Sequence, residues 1–260
     1  MWVGLLGPLE VRDSTGVVRV TAPKERSLVA TLSLRAVNVV PVEALAEAVW
    51  DDQWPAQWQV TLRNYVQRIR KKLAPADRGR LAWRSPGYCL HLDPDESDLA
   101  AFHSQQKAGL AAANSGNWPE AARNLTQAMS LWRGSALVDI ESRLIRVQHA
   151  HYLERQRMVT LEARIEADIR VSRRGSAAVL PELERLIEEY PEREQYYVLT
   201  MLALYRGGRR ADCLDLYHRA RRLLIEAQGI EPGSDLRSLH ERILAGDTGL
   251  LAQPLAELAL

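Results

Sequence analysis

The sequence predicts a mainly α-helical protein with a small β component, divided into two domains. Three observations support this prediction. Residues 2–20 alternate like short strands, residues 61–73 have the spacing of a basic amphipathic helix, and the chain after Asp98 is helical in period throughout. A length of 260 residues is enough for two domains that each bury a core.

The N-terminal elements are short strands followed by helices. The alternation in residues 2–20 surrounds a turn at 13–16, which predicts antiparallel strands. Helical spacing predicts a first helix within residues 24–36. We place Pro41 at the first position of a second, short helix, since proline is favoured there. A third helix is expected from about Gln57.

The third helix, TLRNYVQRIRKKL at residues 61–73, has two different faces when its residues are set about 100° apart. One face is apolar and is expected to pack on the core; it contains Trp58, Leu62, Tyr65, Val66, Ile69 and Leu73. The opposite face provides the candidates for reading DNA bases, which are Val60, Asn64, Gln67, Arg68 and Lys71. The candidates for contacting the DNA backbone are Thr61, Arg63, Arg70 and Lys72 on the flanks, with Arg80 and Arg84 after the helix.

These residue types suit nucleic-acid recognition. Asn and Gln pair with adenine in the major groove, Lys and Arg read guanine or hold phosphate, and an exposed valine can meet a thymine methyl group. The charge is concentrated in the same place, because residues 61–84 contain eight basic residues and one acid. Residues 1–93 carry +4 in total, whereas the remainder carries −3. The alternative is that the basic face is only solvated.

A hairpin is predicted directly after this helix. Residues 81–92, LAWRSPGYCLHL, form two extended runs around a turn at Pro86-Gly87. This order, in which a hairpin follows three helices and the third helix is basic, is that of a winged helix-turn-helix. In such a domain the third helix enters the major groove, and the hairpin, or wing, reaches the backbone or minor groove. This order favours DNA recognition over a merely solvated face.

The second domain is predicted to be an all-α, tetratricopeptide-like repeat domain. The polar segment 93–97 marks the boundary, which gives domains at 1–93 and 98–246 and a tail at 247–260. Gly116 and Gly208 are each followed at +5, +9 and +12 by small, large and small residues, the pattern of closely paired repeat helices. A less regular third copy is placed near Gly175, and a long helix over 140–173. The tyrosines of this domain suit either core packing or a peptide groove; they are Tyr196, Tyr197, Tyr205 and Tyr217.

No catalytic or metal site is predicted. Phosphate-loop, zinc-protease and dinucleotide motifs are missing from the sequence, and Cys89 and Cys213 lack the spacing of a metal site. His149 and His151 point apart on a helix and are interpreted as surface residues. The acidic residues Glu188, Glu189, Glu192 and Glu194 are interpreted as a solvated face. We expect no cofactor, no membrane association and a soluble protein of the cytoplasm.

Seven motifs, taken in order, resemble the Streptomyces antibiotic regulatory protein family. They are LLGPLEVR at 5–12, KERSLVATL at 24–32, LAEAVW at 45–50, TLRNYVQRIRKKL at 61–73, PGYCLHLDPDESDLAAF at 86–102, LWRGSAL at 131–137 and GIEPGSDLRSLHERIL at 229–244. The resemblance implies an OmpR-like winged helix-turn-helix joined to a bacterial transcriptional activation domain. The chain departs from the family pattern at Trp54, Trp58 and Cys89, which puts the preferred DNA sequence in question.

The resemblance also implies a function. Family members activate biosynthetic gene clusters, often for antibiotics, by binding short direct repeats near the promoter −35 region and recruiting RNA polymerase through its sigma factor or alpha subunit. A homodimer or tandem protomers on DNA, and association with the nucleoid, follow as expectations. The alternative function is a repeat-based protein-interaction adaptor that does not bind DNA specifically.

Overall fold

The structure is a computed structural model that describes residues 1–171 and 177–251. These residues form two compact units. The first comprises Met1–Gln106 with Gln127–Met158, and the second comprises Lys107–Thr126 with the chain from Val159 onward. The division into domains predicted from the sequence stays a prediction, and the two units are described separately.

The first unit begins with a three-stranded antiparallel sheet in the order β1-β2-β3. Its strands are β1 (Trp2–Gly4), β2 (Glu10–Asp13) and β3 (Gly16–Val17). Val3 lies opposite Val11 in the register, and both side chains are buried. The antiparallel strands predicted for residues 2–20 are therefore confirmed.

Three helices and a second sheet follow in the first unit. The helices are α1 (Pro23–Leu34), α2 (Val42–Trp50) and α3 (Trp58–Lys72), and the strands are β4 (Val40–Pro41), β5 (Leu81–Arg84) and β6 (Gly87–Leu90). The sheet has the order β4-β6-β5. Helix α1 starts with Pro23 in its first turn, where a missing amide hydrogen costs nothing.

Two details of the predicted winged helix are wrong by one residue. Pro41 was placed in the first turn of α2, but it lies in β4 opposite Gly87, with extended backbone angles, and α2 begins at Val42. The turn of the hairpin is Ser85-Pro86, because Gly87 already pairs with Arg84. The pairing of β4 with β6 fixes the first boundary and the pairing of β5 with β6 fixes the second, and turn propensity alone reveals neither pairing.

The remaining chain is helical, as predicted. Its helices are α4 (Asp98–Asn114), α5 (Trp118–Ser130), α6 (Arg143–Ile145), α7 (His151–Val171), α8 (Leu180–Glu189), α9 (Glu194–Arg206), α10 (Arg210–Gln228) and α11 (Ser234–Leu244). A π-helical turn over Arg146–Ala150 joins α6 to α7.

The long helix predicted to begin near Ile140 begins instead at Arg143. Asp51 and Ser142 account for this start, because Asp51 accepts hydrogen bonds from the Arg143 and Leu144 amides and Ser142 accepts one from the Ile145 amide. These side chains satisfy amide groups that a helix leaves unpaired at its first turn.

Residues 131–140 are not helical because they pack along the loop between β1 and β2. The amide of Arg133 donates to the Leu6 carbonyl, and the amide of Leu137 donates to the Leu5 carbonyl. The buried carboxylate of Asp98 accepts from the Leu5 and Leu6 amides at 2.8 to 3.0 Å. Phe102, Leu137 and Ile145 accordingly join the same core as the three helices of the winged helix.

The predicted repeat pattern appears in the packing of the helix pairs. Gly116 and Gly208 adopt left-handed φ angles of 74° and 77° in the turns of α4-α5 and α9-α10, a conformation that glycine adopts without penalty. All six residues at the predicted offsets are buried; they are Ala121, Leu125, Ala128, Cys213, Tyr217 and Ala220. Gly175, where the third copy was placed, lies outside the described residues, although α8 follows it.

Candidate nucleic-acid interface

Helix α3 is held on α1 and α2 by its apolar face, as predicted. Leu62, Val66 and Ile69 are buried along α3, and Leu73 is buried directly after its last residue. Trp58 and Tyr65 are half-buried and pack against the same core. The helix ends on Arg70, Lys71 and Lys72, which complement the partial negative charge of a helix C-terminus. One face of α3 is thereby fixed, so the other is presented to solvent in a defined orientation.

The outer face of α3 carries the predicted base-reading candidates side by side. Val60 is 51% exposed. The other four are also exposed; they are Asn64, Gln67, Arg68 and Lys71. Within the described residues, Asn64, Gln67 and Lys71 make no side-chain hydrogen bond or ion pair, so their donors and acceptors are available to a ligand.

A buried glutamate on α1 organises one edge of this surface. Glu25 is only 2% exposed, and its carboxylate accepts a hydrogen bond from Lys72 Nζ at 2.5 Å. The Arg68 guanidinium lies 4.0 Å from the same carboxylate and 5.8 Å from the centre of the Tyr65 ring. An ion pair and a cation–π contact together restrict the Arg68 side chain before any ligand arrives.

The predicted backbone-contacting residues fall into two groups. Arg63 and Arg84 are exposed and, in the part of the chain that the structure describes, form no ion pair or side-chain hydrogen bond. The polar groups of the other candidates have partners in the protein. The Thr61 hydroxyl donates to the Gln57 carbonyl, the Arg70 guanidinium donates to the Leu81 carbonyl at 2.6 and 2.8 Å, and Lys72 pairs with Glu25.

Arg80 lies in a cluster of charges at the base of the hairpin. Its guanidinium contacts Asp77 at 2.9 Å and Glu96 at 2.5 Å, and the ammonium group of Met1 lies 3.3 Å from Asp77 and 3.1 Å from Glu96. Burial opposes the charged form of Arg80, but these two carboxylates outweigh it and raise the pKa of Arg80. Arg80 therefore holds the hairpin base, and only part of its guanidinium is available to phosphate.

The hairpin is held close to β4 by a glycine. A Cβ atom on Gly87 would lie 1.8 Å from the Val40 carbonyl oxygen, so only glycine fits between the two strands. Trp83 is 51% exposed on β5, with its ring edge-on to Tyr88 at 5.1 Å, and Arg84 follows it at the turn. The wing thus presents an aromatic ring and a cation that is not paired within the described structure.

Two family models match this chain, one over each predicted region. The model described as "Transcriptional regulatory protein, C terminal" matches residues 18–90, and the "Bacterial transcriptional activator domain" matches residues 97–244. The regulatory protein DnrI of Streptomyces peucetius is 34% identical over 258 residues, which cover 96% of this chain and 94% of that protein. The chain belongs to the Streptomyces antibiotic regulatory protein family.

Other members of this family are longer than the chain. The regulatory protein AfsR of Streptomyces coelicolor is 33% identical over 95% of this chain, which spans 24% of AfsR. A solved structure of Mycobacterium tuberculosis EmbR in complex with a low affinity phosphopeptide has a TM-score of 0.90 at 32% identity, covering 99% of this chain and 67% of EmbR. The relatives are regulators of transcription, and the chain is a DNA-binding transcriptional activator with an OmpR-like winged helix.

The tyrosines and glutamates singled out in the sequence of the second region differ in burial. Tyr196, Tyr197 and Tyr217 are buried, as the core interpretation predicts, and Tyr205 is half-buried. Glu188, Glu189 and Glu192 are exposed, consistent with a solvated face, but Glu194 is half-buried and accepts a hydrogen bond from the Gly233 amide at 2.7 Å. Glu194 therefore supports the start of α11.

The two histidines interpreted as surface residues differ in burial. His151 is exposed, whereas His149 is half-buried, and burial together with the charge of Arg35 lowers the pKa of His149. Across residues 1–171 and 177–251, no three His, Cys, Asp or Glu side chains come together to hold a metal ion. No helix in these ranges is long and apolar enough to cross a bilayer.

Two residues at the interface were not predicted from the sequence. The sequence predicts Glu25 only as part of the first helix, because its contact with Lys72 joins residues 47 positions apart. The sequence predicts Trp83 only as part of an extended run. A tryptophan next to Arg84, directly before a predicted turn, is nevertheless a signal for a surface contact. The structure assigns Glu25 to the positioning of α3 and Trp83 to the exposed surface of the wing.

Proposed function

We propose that this protein activates the transcription of a biosynthetic gene cluster, typically for an antibiotic or other secondary metabolite, by binding short direct repeats near the promoter −35 region. Helix 61–73 reads bases in the major groove, and the hairpin contacts the backbone or the minor groove. The observation that supports this best is the continuous exposed face of α3, on which two amides and two cations project opposite a buried apolar face.

On this proposal, the interface contacts divide into two kinds. Val60, Asn64, Gln67, Arg68 and Lys71 read base edges. Arg63 and Arg84 hold phosphates directly, while Thr61, Arg70, Lys72 and Arg80 contribute through the backbone geometry that they maintain and through their remaining N–H or O–H groups. Bound promoter DNA then places the protein where it recruits RNA polymerase through the sigma factor or the alpha subunit. The protein works in the cytoplasm on the nucleoid.

Footprinting on the promoters adjacent to its own gene tests the proposal. We expect protection of short direct repeats near the −35 region, which implies tandem protomers on DNA; inverted repeats would instead imply a two-fold dimer. Absence of any protected site on those promoters would contradict the proposal.

Substitutions on α3 test which residues read the DNA. Asn64→Ala and Lys71→Ala are expected to abolish specific binding in gel-shift assays while circular dichroism shows an intact fold, because both side chains are exposed and leave no buried partner unpaired. Gln127→Ala, on the exposed face of α5, is a matched control that removes a polar side chain away from α3. Normal promoter binding by both α3 variants would refute the assignment of this face.

A further inference from the structure

The second unit contains a groove that the DNA-binding function does not use. Helices α8 and α10 each pack against α9, and between them lies a groove of about 760 Å³. The buried residues of its lining form a largely apolar floor; they are Tyr197, Leu204 and Leu216, with Thr200, whose hydroxyl is bonded to the Tyr196 carbonyl. Leu180, Ile187 and Leu223 are half-buried and extend this apolar lining up the walls.

Acidic side chains dominate the rim of the groove. Glu184 and Glu188 lie one turn apart on α8, and Asp212 and Asp215 lie on α10. Asp212 is paired with Arg209 at 2.5 Å. Within the described residues, Glu184, Glu188 and Asp215 have no hydrogen-bond or ion-pair partner. The other cation of the lining is Arg219, so three unpaired carboxylates exceed it in charge.

The apolar floor and the acidic rim together indicate which kind of ligand fits the groove. DNA and anionic lipid surfaces are repelled by a rim with excess negative charge, and the whole chain after residue 93 has a net charge of −3. An apolar floor needs an apolar ligand face, and an acidic rim is complemented by lysine or arginine beside that face. The wall formed by α8 from 180 to 188 is about 12 Å long at 1.5 Å per residue, which matches about two turns of a helix.

We propose that this groove is a docking site for a basic amphipathic helix of a partner protein. The partner helix places apolar residues at i, i+3 or i+4, and i+7 on the floor, and its flanking lysine or arginine residues pair with Glu184, Glu188 and Asp215. The proposal goes beyond DNA recognition and does not depend on it, since every residue involved lies in the second unit.

Peptide binding to the full chain tests the proposal directly. The probe is a fluorescent 14-residue helical peptide with leucine at those apolar positions and lysine elsewhere, titrated by fluorescence anisotropy at 150 mM salt. A second peptide has glutamate in place of every lysine, and a third has alanine in place of every leucine. We expect binding of the first peptide, with the other two weaker by roughly tenfold or more, because each lacks one half of the complementarity.

Charge-matched variants locate the site. Glu184→Lys/Glu188→Lys reverses the α8 rim, whereas Glu43→Lys/Glu241→Lys makes the same total change with exposed residues that neither line the groove nor adjoin its lining residues in sequence. We expect a roughly tenfold loss of peptide affinity for the first variant and less than twofold for the second, because screening limits distant charges at this salt. Leu223→Ala supplies an independent test of the apolar wall and is also expected to weaken binding.

Any one of three results would contradict docking of a basic helix in this groove. Equal binding of the lysine and glutamate peptides, equal losses in the two charge-reversed variants, or no binding of the lysine peptide at millimolar concentration would overturn the proposal. Thermal melts of each variant report whether the fold is kept, and if the rim variant unfolds, Leu223→Ala with the three peptides decides. Promoter DNA binding by the rim variant, measured in parallel, tests the DNA-binding function separately.

Discussion

The contact between Glu25 and the basic end of α3 gives a quantitative prediction for Glu25→Gln. The native carboxylate is almost fully buried, bonds Lys72 Nζ at 2.5 Å and lies 4.0 Å from Arg68 Nη1. Glutamine keeps the volume and one acceptor oxygen but removes the negative charge. Loss of one charge-assisted hydrogen bond is expected to lower the free energy of unfolding by about 1 to 3 kcal/mol.

The same substitution should change how the protein binds DNA. Lys72, whose charge the glutamine no longer neutralises, becomes available to a phosphate, which makes the slope of log affinity against log salt steeper by about 0.9 for B-DNA. Arg68 loses part of its restraint, so the ratio of specific to non-specific affinity should fall while non-specific affinity rises at low salt. Fluorescence anisotropy with a promoter duplex and a scrambled duplex, each at several salt concentrations, measures both quantities.

A matched control separates this effect from a general change in charge. Glu43→Gln makes the same chemical change at an exposed position on α2. The reasoning would be refuted by a Glu25→Gln protein that retains the wild-type salt slope and the wild-type specificity ratio. Equal changes in the Glu43→Gln protein would show that net charge, rather than the position of Glu25, is responsible.

Three further predictions concern the wing, the phosphate contacts and a buried thiol. Gly87→Ala should lower the free energy of unfolding by more than about 2 kcal/mol, because its Cβ would overlap the Val40 carbonyl, whereas Gly79→Ala, with open space around it, should change the thermal midpoint little. If about five phosphates are neutralised by each protomer, affinity for promoter DNA should fall roughly 500-fold between 50 and 200 mM salt, and a flat response would contradict backbone contact. Burial raises the pKa of the Cys213 thiol to about 12, so at pH 8 roughly one molecule in 10⁴ carries the thiolate. An alkylating reagent should therefore label Cys213 only after unfolding, which mass spectrometry detects.

The sequence was sufficient for the features that depend on local periodicity. The buried positions Leu62, Val66 and Ile69 and the exposed positions Asn64 and Lys71 follow from the spacing of one helix, because a helical face is fixed by residues three and four apart. The paired glycine turns of the repeat domain were predictable for a similar reason, since small residues at set offsets mark close helix contacts.

The features that were missed depend on contacts between distant segments. No local pattern connects Glu25 to Lys72, or the carboxylate of Asp98 to the amides of Leu5 and Leu6. The one-residue errors at Pro41 and at the hairpin turn have a similar origin, because strand pairing with β6, by β4 at Pro41 and by β5 at the turn, decides between neighbouring positions that turn propensity treats as equivalent.

The packing of residues 131–140 on the loop between β1 and β2 has a consequence for protein synthesis. The amides of Leu5 and Leu6 find their acceptor at Asp98, and the amide of Leu9 finds its acceptor at Asp139, so the first 93 residues alone leave these amides of the loop between β1 and β2 without their acceptors. The segment that contains α3 is complete at residue 93, yet the amide of Leu9 has no acceptor until translation reaches Asp139. A message truncated between these points would therefore yield a chain with an open core and exposed leucines, which is a substrate for proteolysis rather than a free DNA-binding fragment.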